Sequence, residues 1–238
     1  MIVLRNVSKI FHGQGVETCA LNDVNLRINA GEFVAVMGPS GCGKSTLLNV
    51  VGMIDTPTSG QYSFDGLDVS GKTEEELVEL RRKTVGFIFQ SFNLIDDLTV
   101  YENVELPLVY NDLPKRERKI HVREALELVD LIDRAGHTPR QLSGGQQQRV
   151  AIARAIVCDP KLILADEPTG NLDSRNGEEI MEMLEALNEQ GATILMVTHS
   201  AAHGAKAHRI VDMLDGHVIA PAPDEQHADV GERLAAAI

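Results

Sequence analysis

Apolar positions recur along this chain with two different periods, and the places where the period changes mark out its elements. Ile2–Val7, Val24–Ile28 and Phe33–Met37 read as strands, with Asn29, Ala30 and Gly31 turning the chain between the last two. Beyond a glycine-rich stretch, Leu47, Leu48, Val51 and Ile54 fall at helical spacing, which predicts a helix over Thr46–Ile54. Thr56–Gly60 contains Gly and Pro and leads into a short β segment ending at Asp65-Gly66. Thr73 followed by Glu76 is a capping box opening a helix to about Lys83, where Arg81, Arg82 and Lys83 suit the negative end of the dipole.

A strand over Val85–Gln90 comes next. From Ser91 to about Val157 the pattern turns mostly helical, with an apolar stripe over Arg123–Leu131, and reads as an inserted helical subdomain. Alternation then resumes with a strand at Leu162–Ala165, a helix at Ser174–Asn188 with Ile180, Met183, Leu184 and Leu187 on one face, and a strand at Thr193–Thr198. Short, wholly apolar strands between helices imply a parallel sheet buried on both faces. Asp215-Gly216, between His208–Leu214 and His217–Ile219, suits a two-residue hairpin turn. The expected fold class is α/β: a mostly parallel sheet, preceded by an N-terminal antiparallel β segment and interrupted by the helical insertion. One domain is expected over residues 1–219. The acidic, Pro- and Ala-rich stretch 220–238 is expected to be poorly ordered, with a short helix over 230–238 as the alternative.

Composition adds exclusions. At 238 residues, 43% hydrophobic and 24% charged, the chain can bury a substantial core. Its formal charge of −13 argues against nucleic acid as a partner, because a polyanion meets a repulsive mean field. Three scattered cysteines, Cys19, Cys42 and Cys158, show no zinc or disulfide spacing, and fit a reducing, cytoplasmic setting. No apolar run approaches the ~20 residues of a membrane helix, and no signal peptide is expected. A membrane role must therefore come through a partner.

Three segments carry chemistry. Gly38-Pro39-Ser40-Gly41-Cys42-Gly43-Lys44-Ser45 matches the phosphate-loop pattern and lies between a strand and a helix predicted independently of it. Glycines let backbone amides turn inward around phosphates and the helix N-terminus adds positive potential. Lys44 neutralises β/γ oxygens, and Ser45 ligates Mg²⁺. Asp166-Glu167 ends the apolar strand Leu162–Ala165, at the sheet edge where nucleotides lie in open α/β folds. Taken alone, such a pair is a cap or a solvated turn. With the phosphate loop upstream, Asp166 becomes a metal ligand acting through water, and Glu167 the group that polarises the attacking water. Leu142-Ser143-Gly144-Gly145-Gln146 opens a helix expected over Gln146–Val157 and provides a second helix N-terminus able to meet an anion.

The last of these resembles the signature of the ATP-binding cassette family, and the resemblance covers about residues 2–219. It implies a phosphate-loop NTPase core with ATP and Mg²⁺ as its ligands. Gln90 resembles the Q-loop glutamine, with a metal and water contact. Asn171-Leu172-Asp173 resembles the D-loop, and His199 the switch histidine that contacts the γ-phosphate. Phe11 holds the place of the aromatic that stacks on adenine. Gly38, Ser40, Gly41, Cys42, Gly43, Lys44, Ser45 and Thr46 are the expected nucleotide-binding residues of one cassette. Ser143, Gly144, Gly145 and Gln146 serve the nucleotide of a second, because two cassettes of the family pack head to tail as a homodimer around ATP. Catalysis falls to Glu167, His199, Lys44 and Gln90, and metal binding to Ser45, Gln90 and Asp166. Cys42 is a small residue whose thiol, beside phosphates, raises the expectation of oxidation-sensitive activity.

Gly38-Pro39-Ser40-Gly41 together with Phe89–Leu94, Glu102-Asn103-Val104 and Pro168–Asp173 resembles the macrolide-exporter and lipoprotein-releasing branch. Ser200 departs from the aspartate that many relatives carry after the histidine. The branch implies an integral membrane permease docking near Gln90–Leu108, a place at the cytoplasmic face of the inner membrane, and export or extraction of lipoprotein, peptide or drug. The rival reading is a mechanotransducer of the cell-division type, which would move no cargo and would regulate an extracytoplasmic enzyme. Soluble relatives acting on DNA or ribosomes carry tandem cassettes, coiled-coil arms or zinc modules, which this chain lacks.

Overall fold

The computed structural model describes residues 1–12 and 17–219. The stretch 220–238, with the disorder and the short helix weighed for it, lies outside the described residues.

Two sheets share the core. Strands β1 (Ile2–His12), β2 (Glu17–Ile28), β3 (Phe33–Met37), β4 (Ser59–Phe64) and β5 (Leu67–Asp68) belong to the first part of the chain. Four of them form an antiparallel sheet in the order β2-β1-β4-β5. Strand β3 stands outside that sheet and joins β6 (Val85–Phe89), β7 (Leu162–Asp166), β8 (Thr193–Val197), β9 (Arg209–Leu214) and β10 (His217–Ile219), in the order β10-β9-β3-β8-β7-β6. All neighbours in this second sheet run parallel except the β9–β10 hairpin. Its turn uses Asp215 and Gly216 with φ of 47° and 81°, the left-handed pair that a two-residue hairpin demands. The α/β class and the mostly parallel sheet are those expected.

The seven α-helices among the described residues are α1 (Lys44–Val51), α2 (Glu74–Thr84), α3 (Val100–Tyr110), α4 (Lys115–Leu128), α5 (Gly144–Ile156), α6 (Ser174–Glu189) and the short α7 (Ala201–Gly204). Helix α2 starts at the predicted capping box: Thr73 Oγ1 accepts from the Glu76 amide, and the Glu76 carboxylate accepts from the Thr73 amide. Residues 91–99 carry turns, and two 3-10 turns connect α4 to α5.

Period-two alternation of the central strands divides the interior. Val34 and Val36 of β3 face a core shared with the antiparallel sheet and α1, while Phe33 and Ala35 face a second core built with α3 to α6. Every residue of β3 and β8 is buried, which explains their unbroken apolar runs. Strands β1 and β2 are longer than expected, β1 running on to His12 and β2 starting at Glu17, and two helical residues also need correction. Ile54 is exposed, because Gly52 and a left-handed Met53 (φ 57°) end α1 before it. On α6 the fully buried methionine is Met181, with Met183 only partly covered.

Candidate functional site

Strand order brings the chemistry together. Strands β6, β7, β8 and β3 lie side by side and parallel, with Phe89 opposite Asp166, Asp166 opposite Val197, and Val197 opposite Val36. Their C-terminal ends therefore deliver Gln90, Asp166-Glu167, His199 and the loop from Gly38 to one edge, at strand spacings of ~4.8 Å.

The loop after β3 turns on glycines that no other residue replaces. Gly43 has φ of 103°, and a Cβ there would stand 2.2 Å from the Ala20 carbonyl oxygen. Lys44, only 5% exposed, folds back under the loop, where its Nζ donates to the carbonyls of Gly38 (2.9 Å) and Pro39 (2.8 Å) and lies 3.8 Å from Cys42 Sγ. Among the described residues this ammonium makes no ion pair. Helix α1 has no side chain capping its N-terminus and no acidic residue in its first turn. A buried cation whose close oxygen partners are carbonyls, at an uncapped helix start, leaves donors and positive potential free to meet a further anion. Polyphosphate fits that deficit.

Asp166 and Glu167 divide the acidic work. Burial pushes the Asp166 carboxyl above the usual carboxylate range, and the adjacent Glu167 charge adds to this. The Ser45 hydroxyl, 3.5 Å from Asp166 Oδ1, and the charges of Lys44 and His199 pull the other way. Among the described residues no group of three or more His, Cys, Asp or Glu could hold a metal by itself. Two hard oxygens, from Ser45 and Asp166, fit an ion such as Mg²⁺, which keeps several waters and rides with phosphates.

Glu167 is held in the left-handed region, φ 47°, a conformation that costs ~1–3 kcal/mol in a non-glycine residue and persists only when its surroundings impose it. Its amide donates to Val197 O and its carbonyl accepts from the Gly170 amide, both at 2.9 Å. So placed, its carboxylate stands 2.7 Å from His199 Nε2. Gln90 is clamped through both ends of one partner: Asn171 Nδ2 donates to the Gln90 carbonyl (3.0 Å), and Gln90 Nε2 lies 3.4 Å from Asn171 Oδ1.

Helix α5 begins at Ser143, whose hydroxyl accepts from the Gln146 amide (3.3 Å) while Gln146 Oε1 accepts from the Ser143 amide (3.0 Å). Gly145 packs so closely on α6 that a Cβ would meet Asn176 Oδ1 at 2.2 Å. Among the described residues no hydrogen bond or ion pair joins residues 142–146 to the phosphate loop.

A match to the ABC transporter family covers residues 21–170. The chain belongs to the ABC transporter family. This cassette is an ATPase of that family, 51% identical to the ABC transporter ATP-binding protein MJ1508 of Methanocaldococcus jannaschii over 92% of its own length and 98% of that protein. It is equally identical to the macrolide export ATP-binding/permease protein MacB 1/2 of Paracoccus denitrificans, again over 92% of itself, but spans only 33% of that longer chain. Among solved structures it resembles a dimeric post-hydrolysis state of the ATP-binding cassette MJ0796 bound to ADP and Pi, with a TM-score of 0.85 and 46% identity over 92% of this chain and 97% of that one.

Within the ABC cassette, the residues read from the sequence separate into two groups. Lys44, Ser45, Gln90, Asp166, Glu167 and His199 converge at one sheet edge, whereas Ser143 to Gln146 form their own capped helix start. Phe11 stands on β1, 41% exposed, with Lys9 Nζ 5.0 Å from its ring centre. Ser200 caps α7 by accepting from the His203 amide, a task that an aspartate would also perform. Sequence reasoning missed two supports. Gly170 packs against Gln90, where a Cβ would stand 2.7 Å from Nε2. Gln148, fully buried, donates to the Pro168 carbonyl. The available signal for Gln148 was its position one helical turn before the apolar Ala151 and Ile152, on the face that packs inward.

Proposed function

We propose that this cassette is the ATP-hydrolysing subunit of an exporter, closing as an ATP-bound homodimer beneath a separate integral membrane permease at the cytoplasmic face of the inner membrane. The observation that carries this reading is the buried, carbonyl-bound Lys44 at an uncapped helix start beyond β3, next to the β8 end that carries His199 and one strand further from the β7 end that carries Glu167. Phe11 receives the adenine, and residues 38–46 the phosphates. Mg²⁺, when bound to Ser45, Asp166 and Gln90, supplies positive charge to the phosphate oxygens.

Glu167 accepts the proton of the attacking water as its oxygen bonds to the γ-phosphorus and the bridging bond to the β-phosphate breaks. His199, 2.7 Å from Glu167 Oε1, orients that carboxylate and offers its ring to the γ-phosphate. Ser143 to Gln146 meet the nucleotide of the partner cassette, which is consistent with their separation from the phosphate loop within one chain. Dimeric relatives of high identity support the paired state.

The exporter reading rests on likeness to MacB, whose name joins ATP-binding to permease function in one chain. Among the described residues no helix is long and apolar enough to cross a membrane, so the permease is a different polypeptide or segment. A cavity of about 280 Å³, lined in part by Phe89, Asn93, Pro107 and Arg154, lies beside residues 90–108 and offers the permease a place to dock. Isolation of the tagged cassette from its native membranes tests the reading. Recovery with an integral membrane protein, and cargo-stimulated ATP turnover by that complex, are expected. Turnover stimulated by nucleic acid, or recovery with ribosomes, would overturn it.

A further inference from the structure

Gln148 lies on α5, one turn beyond the Ser143 cap, and none of its surface reaches solvent. Its Nε2 donates to the carbonyl of Pro168 at 2.6 Å, while its Oε1 has no hydrogen-bond partner among the described residues. The side chain therefore has one polar tie, and that tie ends on the residue directly after Glu167. Pro168 has no amide hydrogen, so the peptide between them cannot be oriented by donation from that side. A proline also disfavours the right-handed helical region for the residue before it. What fixes Glu167 in its left-handed conformation is the set of bonds around it: to Val197 O, from the Gly170 amide, and, one peptide on, from Gln148.

We propose that Gln148 is a positioning residue for ATP hydrolysis: its bond to the Pro168 carbonyl transmits the position of helix α5 to the backbone that aims the Glu167 carboxylate. The inference rests on the reading of Glu167 as the general base and of the α5 N-terminus as the contact to the partner's nucleotide. Helix α5 is stiff and short, so a displacement at Ser143 arrives at Gln148 little diminished. Arg149, paired with Glu179 of α6, ties the next position of α5 to the helix that follows residues 168–173. Closure of the dimer on ATP thereby sets the geometry of hydrolysis in the chain that contributes the signature. A bland packing role would predict that loss of the amide affects folding and leaves the chemistry alone.

Gln148→Met separates the two. Methionine keeps the length and volume, removes the donor, and also removes the unpartnered Oε1, so the two changes in polar satisfaction offset one another. The expected result is a fall of about tenfold or more in kcat for ATP, with KM and melting temperature close to the parent, and ATP-driven dimerisation intact. In a Glu167→Gln background the same change should lower residual turnover less than twofold, because its effect runs through Glu167. Gln148→His, which restores an N–H donor, should recover part of the rate.

Parent-like kcat in Gln148→Met overturns the proposal, as does a loss that is fully additive with Glu167→Gln. If Gln148→Met does not fold, Gln148→Asn, which withdraws the amide by one methylene, is judged by the same kcat, KM and additivity results. Parent-like turnover by Glu167→Gln alone would instead overturn the general-base reading, a distinguishable outcome.

Discussion

His199 Nε2 lies 2.7 Å from Glu167 Oε1, joining the second residue beyond β8 to the residue after β7 across one strand spacing. Neither position is adjacent to the other in sequence, and neither side chain is fully buried, so the pair is close without being sealed from solvent. That suits the roles proposed for the two groups, which would receive a phosphate and a water between them.

Glu167→Gln keeps the shape and the contact but removes the proposed general base. Turnover is expected to fall by ~10²–10⁴-fold, the usual contribution of a positioned general base, with ATP still bound. Size-exclusion chromatography with saturating ATP checks the consequence: the variant should accumulate as a dimer, and a persistently monomeric species would count against the paired mechanism.

Gly43→Ala and Gly170→Ala are both predicted to reduce activity, but to differ in their effect on stability. At Gly43 the new Cβ meets backbone, the Ala20 carbonyl, in a left-handed residue, so Gly43→Ala should cost about 2–4 kcal/mol of stability along with nucleotide binding. At Gly170 it meets the movable side chain of Gln90. Chemical denaturation of Gly170→Ala should show a change within ~0.5 kcal/mol, while ATP turnover drops as Gln90 is displaced.

Asp166 links stability to pH with a defined sign. Burial raises its folded-state pKa above the unfolded value. The protonated form is the one the fold favours, so its stabilising contribution is complete below the ordinary carboxylate pKa and is lost as pH rises through the raised value. Above that raised value the ionised group is a burden on the nucleotide-free protein. Asp166→Asn should therefore raise the nucleotide-free melting temperature at neutral pH, with the gain shrinking in acid. Thermal melts with and without Mg-ATP should also show that the variant loses the stabilisation that the metal-nucleotide complex gives the parent.

Ser143→Ala removes the cap of α5 and, on the present reading, a contact to the partner's nucleotide. Loss of the cap should cost ~1 kcal/mol in denaturant titrations. ATP affinity measured on dilute monomer should stay near the parent's while hydrolysis at high protein concentration declines. A matching loss of monomer affinity would contradict the assignment.

Much of this molecule was written locally. Glycine spacing around Lys44, the Ser143-Gly144-Gly145 helix start, the Thr73/Glu76 capping box and the buried-strand runs each follow from interactions within a few residues, so most of the elements, the expectation of nucleotide chemistry and the family resemblance were legible in the sequence alone. Tertiary structure decided which side chains meet. The pairing of Glu167 with His199, the Asn171 clamp on Gln90, the Ala20 carbonyl against Gly43 and the tie from Gln148 to Pro168 depend on strand order and register. Those are fixed by burial summed over the whole sheet, and no short window of sequence carries them. The same reason explains Ile54 and Met183: periodicity gives the face of a helix, but where the helix stops and which neighbour covers its edge are set by elements distant along the chain.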